Sequence, residues 1–192
     1  MRQNAFVGRS LSIAVCIAMI LFYCSYYAYA VSNISSRTNL PKFKLNVSDD
    51  AEARQYLELK NLKSFDISQI PAKLILMEIF SFYCPICHKQ APIANKLYKF
   101  IQQDPKLRKD IKMIGIGAGN NQKEIEVYKS NFRVPFPLFS DVNFNIHKKI
   151  GEPRTPTTIL VTNKGKVLLT HRGVMENLDE FIQKIKKFHA QQ

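Results

Sequence analysis

The sequence predicts an α/β sandwich built on a mixed sheet, and three features carry that prediction. Residues 72–82, AKLILMEIFSF, are almost continuously apolar and lie between Pro71 and Pro85, the pattern of a central strand buried on both faces. Beyond them, Ala91, Ala94, Leu97, Tyr98 and Ile101 recur at helical spacing. Nearer the C-terminus, two strand-like runs are joined by Asn163-Lys164-Gly165, a hairpin signal. With 192 residues, 46% of them hydrophobic and 22% charged, the chain has the composition of a one-domain globular protein, not of a collagen, a coiled coil or a disordered tail.

The N-terminus has the order of a targeting segment. Arg2 and Arg9 precede an uncharged stretch from Ser10 to Ser36 whose apolar centre, LSIAVCIAMILFY, begins at Leu11. Ala28-Tyr29-Ala30 fits a small-x-small cleavage site. A cut after Ala30 leaves 162 residues with 26 basic and 15 acidic side chains and only two cysteines. The alternative is an uncleaved anchor, because Leu11 to Ala30 is 20 residues, long enough to span a bilayer, with four tyrosines suited to the interface at its end. Residues 1–30 are therefore a signal peptide or a membrane anchor, and both readings export the rest of the chain. Cys24 does not read as a lipid-attachment site, since Phe22 and Tyr23 are bulky where small residues are needed.

Residues 31–47 mix Ser, Asn, Pro and Lys without a period and read as a linker or loosely held arm. The sequons at Asn33 and Asn46 matter only in a eukaryotic secretory route. Asp49 and Glu52 form a D-x-x-E start for a short helix through Tyr56 and Leu57, and Phe65 to Ile67 is a short strand. The central strand of residues 72–82 carries one charge, Glu78. The helix after it ends at Asp104-Pro105, followed by a strand from Lys112 to Ile116 and a helix from Gln122 to Ser130. Leu138 and Phe139 lead into a short helix from Val142 to Ile150. Pro156 to Thr162 and Lys166 to His171 are the hairpin strands. Asn177 and Glu180 cap a final helix with Leu178, Phe181, Ile182, Ile185 and Phe188 on one face.

The net charge of +13 is scattered rather than gathered into a tract, so it reads as a solvated basic surface and not as a nucleic-acid site. Four cysteines, two of them in the N-terminal apolar run, exclude a dense disulfide scaffold. The other two form Cys84-Pro85-Ile86-Cys87 where the buried strand gives way to a helix. Cys84 then lies at the helix N-terminus, where unpaired amides and the dipole stabilise a thiolate, which makes it the nucleophile. Cys87, one turn in, is placed to attack a mixed disulfide and release a partner. A static disulfide and half of a zinc site are the alternatives, but His88, His147, His171 and His189 show no paired ligand spacing. Cys84 to His88 also reads CPICH, the attachment pattern of c-type haem, although it follows a strand in a βα pattern. GIGAGN at 115–120 departs from the dinucleotide-binding pattern at Asn120 and reads as a Gly-rich strand exit.

Through MEIFSFYCPICHKQAPIANKLY and RTPTTILVTNKGKVL the chain resembles the thioredoxin superfamily, over about Phe65 to Phe188. The long segment between those motifs, with a whole strand and helix, resembles the TlpA-like, ResA-like and CcmG-like exported redoxin branch. The resemblance implies a thioredoxin-like three-layer sandwich over residues 48–192, a central mixed sheet flanked by helices with an extra βα insertion. It implies thiol-disulfide exchange with exported proteins through Cys84 and Cys87 as a reversible disulfide, without cofactor or metal, and restoration by a membrane or periplasmic electron donor. Tyr83 stands where thioredoxins carry Trp, and Pro92 matches the helix-kinking proline. Glu78, six residues before Cys84, matches the buried carboxylate that assists proton transfer with the second cysteine, though the lysine that often partners it has no equivalent. Thr155-Pro156 looks like the cis-proline site, which with Tyr83, Pro85 and Ile86 is expected to hold the substrate. The branch favours a reductase; a DsbA-like oxidase, which EIFSFYCP resembles locally, and a non-catalytic thioredoxin-fold binding protein are the alternatives. Peroxiredoxins fit less well, since Met77 and Ser81 stand at the Pro and Thr/Ser positions of their motif, which is only half met.

Overall fold

The computed structural model describes residues 39–47, 50–59 and 62–192. The targeting segment, Cys16, Cys24 and Asp49 lie outside the described residues. Among those described, no helix is long and apolar enough to cross a membrane.

In chain order the elements are β1 (Leu45–Asn46), α1 (Ala51–Tyr56), β2 (Ser64–Phe65), a 3-10 turn (Ile67–Gln69), β3 (Leu74–Phe80), α2 (Pro85–Gln103), α3 (Pro105–Asp110), β4 (Ile111–Ala118), α4 (Gln122–Phe132), β5 (Leu138–Asp141), α5 (Asn145–Lys149), β6 (Thr157–Thr162), β7 (Val167–Arg172) and α6 (Leu178–Ala190). The five-stranded sheet runs β5-β4-β3-β6-β7. β4 lies parallel to β3 and to β5, whereas β6 is antiparallel to β3 and to β7. The fold is thus an α/β thioredoxin-like sandwich with a mixed sheet, preceded by β1, α1 and β2. The βα insertion between the cysteine pair and the hairpin holds two units, β4–α4 and β5–α5.

Every residue of β3 and β4 is buried, which is why their sequences lack alternation. Leu74, Leu76 and Phe80 of β3 pack into one cluster with Cys87, Ala91, Ala94 and Leu97 of α2 and Phe181, Ile182 and Ile185 of α6. Residue 78 shares that sheet face, because side chains alternate along a strand. Ile75, Met77 and Ile79 are buried on the other face.

Several boundaries differ from the sequence reading. The helix near residue 50 is capped by Asp50, whose carboxylate accepts from Ala53 N–H, with Ala51 its first helical residue. Residues 39–47 are not a loose arm: Leu40, Phe43, Leu45 and Val47 are buried, and Leu45–Asn46 pairs with Ser64–Phe65. The strand expected at Phe65–Ile67 is accordingly Ser64–Phe65, with the 3-10 turn taking Ile67. Leu138 and Phe139 belong to a strand, β5, because they pair with Gly115 and Ile116. α3 is an extra turn of helix, started by Asp104, which accepts from the N–H groups of Lys106 and Leu107, and by Pro105 at its first position. α5 is shorter than expected because Phe144 precedes it in a left-handed conformation, with Asp141 accepting from Ile146 and His147 N–H.

Candidate active site

The site forms at the carboxyl end of β3, where the strand turns into α2. Cys84 is the N-cap of α2 and Pro85 its first residue, where a missing N–H costs nothing. The Sγ of Cys84 accepts from Cys87 N–H at 3.3 Å and lies 3.5 Å from the carbonyl oxygen of Thr155. The Thr155–Pro156 peptide bond is cis. Thr155 is half-buried and Pro156 buried, so the loop before β6 meets the cysteine from across the sheet.

The turn before Cys84 is gripped on both sides. Phe82 N–H donates to Asn120 Oδ1 at 2.8 Å, and a ring nitrogen of His88 donates to the Phe82 carbonyl at 2.7 Å. Haem attachment through CPICH would require His88 to leave that bond. The Tyr83 hydroxyl donates to Glu124, which also closes the capping box of α4 through Asn121. Tyr83 and Ile86 are 68% and 50% exposed, unusual for large apolar side chains, and flank Cys84.

The two thiols stand in opposite electrostatic settings. Burial pushes the Cys84 thiol up, but hydrogen bonds from the Cys87 and Thr155 side chains and from the Cys87 and Ile86 backbone outweigh it, so its pKa falls below the ordinary value. Cys87 is buried, and desolvation followed by its bond with Cys84 holds its pKa far above the ordinary value. The result is an accessible thiol biased toward its thiolate beside a shielded thiol held in its protonated form.

Glu78 lies under this pair on the α2 face of β3. Burial raises its pKa to about 7, against the lowering effect of the Thr158 hydroxyl, which donates to Oε2 at 2.6 Å, and of the Gln90 side chain. Glu78 stands directly across the sheet from Thr158, which stands across from His171. Tyr128 of α4 donates to the Cys87 carbonyl at 3.1 Å and stacks on Phe80 at 4.3 Å between ring centres.

Of the residues expected to form the site, Cys84, Cys87, Tyr83, Pro85 and Ile86 lie on one turn, Thr155 and Pro156 face it, and Glu78 on β3 shares the surroundings of Tyr128 with both cysteines. Thr158, Gln90, Tyr128, Asn120 and Glu124 were missed. Two of them left a trace in the sequence: Gln90 continues the buried stripe of Cys87, Ala91 and Ala94, and Thr158 is a polar residue at the start of a buried strand.

The chain is similar to several known proteins. The chain is 24% identical over 126 residues to the thiol-disulfide oxidoreductase ResA of Halalkalibacterium halodurans, covering 65% of this chain and 69% of that one. It is 26% identical over 132 residues to the sporulation thiol-disulfide oxidoreductase A of Bacillus subtilis, covering 65% and 76%. Among solved structures, StoA from Bacillus subtilis superposes with a TM-score of 0.56 at 16% identity, covering 78% of this chain and 99% of that one. A secreted Mycobacterium tuberculosis disulfide oxidoreductase homologous to Escherichia coli DsbE superposes with a TM-score of 0.53 at 15% identity, covering 65% and 88%. The Redoxin family model matches residues 36–184, most of the chain, from before β1 to within α6. On that match the chain belongs to the Redoxin family, in the thioredoxin-fold superfamily, related to the ResA thiol-disulfide oxidoreductases.

Proposed function

We propose that the protein is an exported disulfide reductase that acts on cysteine-bearing exported proteins. One observation carries the reading: Cys84, accessible and with its pKa lowered, caps α2 beside a buried, protonated Cys87 and against the cis-proline loop. The Cys84 thiolate attacks a substrate disulfide and forms a mixed disulfide, releasing one substrate thiolate. Cys87, once deprotonated by Glu78, attacks Cys84 and expels the second. Tyr83, Pro85, Ile86, Thr155 and Pro156 dock the substrate chain. Residues 1–30 direct export, as cleaved signal or retained anchor, and a separate thiol-disulfide donor outside the cytoplasm returns the pair to its reduced form. Support comes from the exposed apolar side chains around Cys84 and from the relatives described as thiol-disulfide oxidoreductases, one of them secreted.

Turnover on a model protein disulfide tests this. Cys84→Ser should abolish it, and Cys87→Ser should trap the mixed disulfide. A Cys84→Ser chain with intact exchange would sink the reading. Direction follows from the equilibrium potential of residues 31–192 against glutathione. A value near roughly −270 mV or lower supports a reductase, and one near about −120 mV makes the protein an oxidase.

A further inference from the structure

Among the described residues, two buried polar atoms, Glu78 Oε1 on β3 and Gln90 Nε2 on α2, have no hydrogen-bond partner. One is an acceptor when the carboxyl is ionised, and the other is a donor. Gln90 is 1% exposed and sits one turn beyond Cys87 on the buried stripe of α2. Its own orientation is fixed, because Gln90 Oε1 accepts from Met175 N–H at 2.9 Å, in the loop before α6. An amide locked through its oxygen can present only N–H groups elsewhere. Glu78 is fixed as well, since Thr158 donates to Oε2 and leaves Oε1 as the free oxygen. The Gln90 side chain already biases the carboxyl toward its charged form. Buried polar atoms are rarely left orphaned, and this donor and acceptor complement each other.

We propose that Gln90 is a positioning residue for Glu78: on ionisation of the carboxyl, its locked amide donates to the free oxygen and holds the carboxylate for proton exchange with Cys87. This rests on the proton-transfer role given to Glu78 above. In the step it serves, Cys87–SH gives its proton to Glu78–COO⁻, leaving Cys87–S⁻ and Glu78–COOH. The thiolate then attacks the Cys84 sulfur of the mixed disulfide. The Cys84–Cys87 bond forms, the bond to the partner breaks, and its electron pair leaves on the partner's sulfur. The amide donor thus takes the place that a charged partner would fill, favouring the anion without a second buried charge. Around Glu78 the other titratable groups are the thiols of Cys84 and Cys87 on α2 and the phenol of Tyr128 on α4. His171 on β7 lies beyond Thr158 in the same cross-strand row, with a ring nitrogen bonded to the Val174 carbonyl.

The test needs no substitution at first. In the reduced wild-type chain, the NMR signals of the Gln90 side-chain amide and of the Glu78 carboxyl carbon are followed against pH. Both should move with one midpoint, and the amide's response should vanish in Glu78→Gln. An amide signal that stays flat through the carboxyl titration overturns the proposal. In Gln90→Met the carboxyl midpoint should rise by about one pH unit, and release of the partner from Cys84 should slow, its pH profile displaced upward with KM unchanged. A Gln90→Met profile coincident with wild type also overturns it. If Glu78→Gln instead resolves mixed disulfides at the wild-type rate, the role of Glu78 itself fails, whereas the amide titration reads the Gln90–Glu78 bond independently of that role.

Discussion

Two carboxyl groups buried in this sandwich are driven in opposite directions. Glu78, toward the cysteine end of β3, accepts from the Thr158 hydroxyl at Oε2 and has no partner at Oε1 among the described residues, and burial lifts its pKa to about 7. Asp110, just before β4 at the other end of the sheet, accepts from His189 at 2.8 Å and pairs with Lys73 at 3.2 Å. Burial pushes its pKa up too, but the His189 and Lys73 bonds outweigh it and leave the carboxylate below its ordinary range. Partners, not residue type, decide the charge state of a buried acid. The saturated group fastens α6 to the start of β4, and the under-partnered group is free to exchange a proton near neutral pH.

Glu78→Gln breaks the comparison most strongly. An acid whose folded pKa is raised contributes nothing below the unfolded value, where both states are protonated. It destabilises progressively from about pH 4.5 to 7, as the unfolded chain ionises first. The full penalty above pH 7 is on the order of 3 kcal/mol. Denaturant melts should therefore show the substituted chain gaining about that much on wild type between pH 4 and pH 8, while disulfide turnover falls. Parallel stability curves would remove the contrast between the two acids.

Asp110→Asn should act in the opposite sense. With its carboxylate gone, His189 and Lys73 lose their anion, at a cost of about 1–3 kcal/mol at pH 7 with exchange rates unchanged. Because the folded pKa of Asp110 is depressed, its stabilisation is present above the unfolded value and fades as pH falls through the folded one. The two chains should thus converge in acid, as pH falls through the depressed folded pKa of Asp110. A turnover defect in this variant would mean that the two ends of the sheet are coupled.

Thr158→Val removes the hydroxyl that donates to Glu78 Oε2 and should raise the carboxyl midpoint above its present value of about 7, carrying the pH profile of partner release with it. The corresponding loss of stability at pH 8 is about 1 kcal/mol. Tyr83→Phe is the mildest change, since the ring stays and only the hydroxyl bond to Glu124 goes. Melting should not move, and KM for a protein disulfide should rise on the order of twofold. A large kcat effect would show that this exposed ring does more than dock substrate.

Much of this was legible in the residues. The apolar run of 72–82 is a buried central strand because both faces are covered, and the helix-start geometry of CPIC follows from Pro85 and the strand before it. Glu78, six before Cys84, was singled out through the resemblance to the thioredoxin superfamily, not through strand geometry. β1 and β5 were hidden, because strands of two and four residues carry too little period to distinguish them from loop. α3 was hidden because Asp104-Pro105 ends one helix and starts the next with the same residues.

By itself, then, the sequence determined the sandwich and the placing of the Cys84–Cys87 pair at a strand-to-helix turn, since each depends on local periodicity or on spacing along one turn. Only the tertiary structure decided the partners of the carboxyls. Thr158 is 80 residues from Glu78. His189 is 79 residues from Asp110, and Met175 is 85 from Gln90. Contacts at such separations are set by strand register and helix docking, and a buried group's charge depends on the few atoms those place within hydrogen-bonding reach.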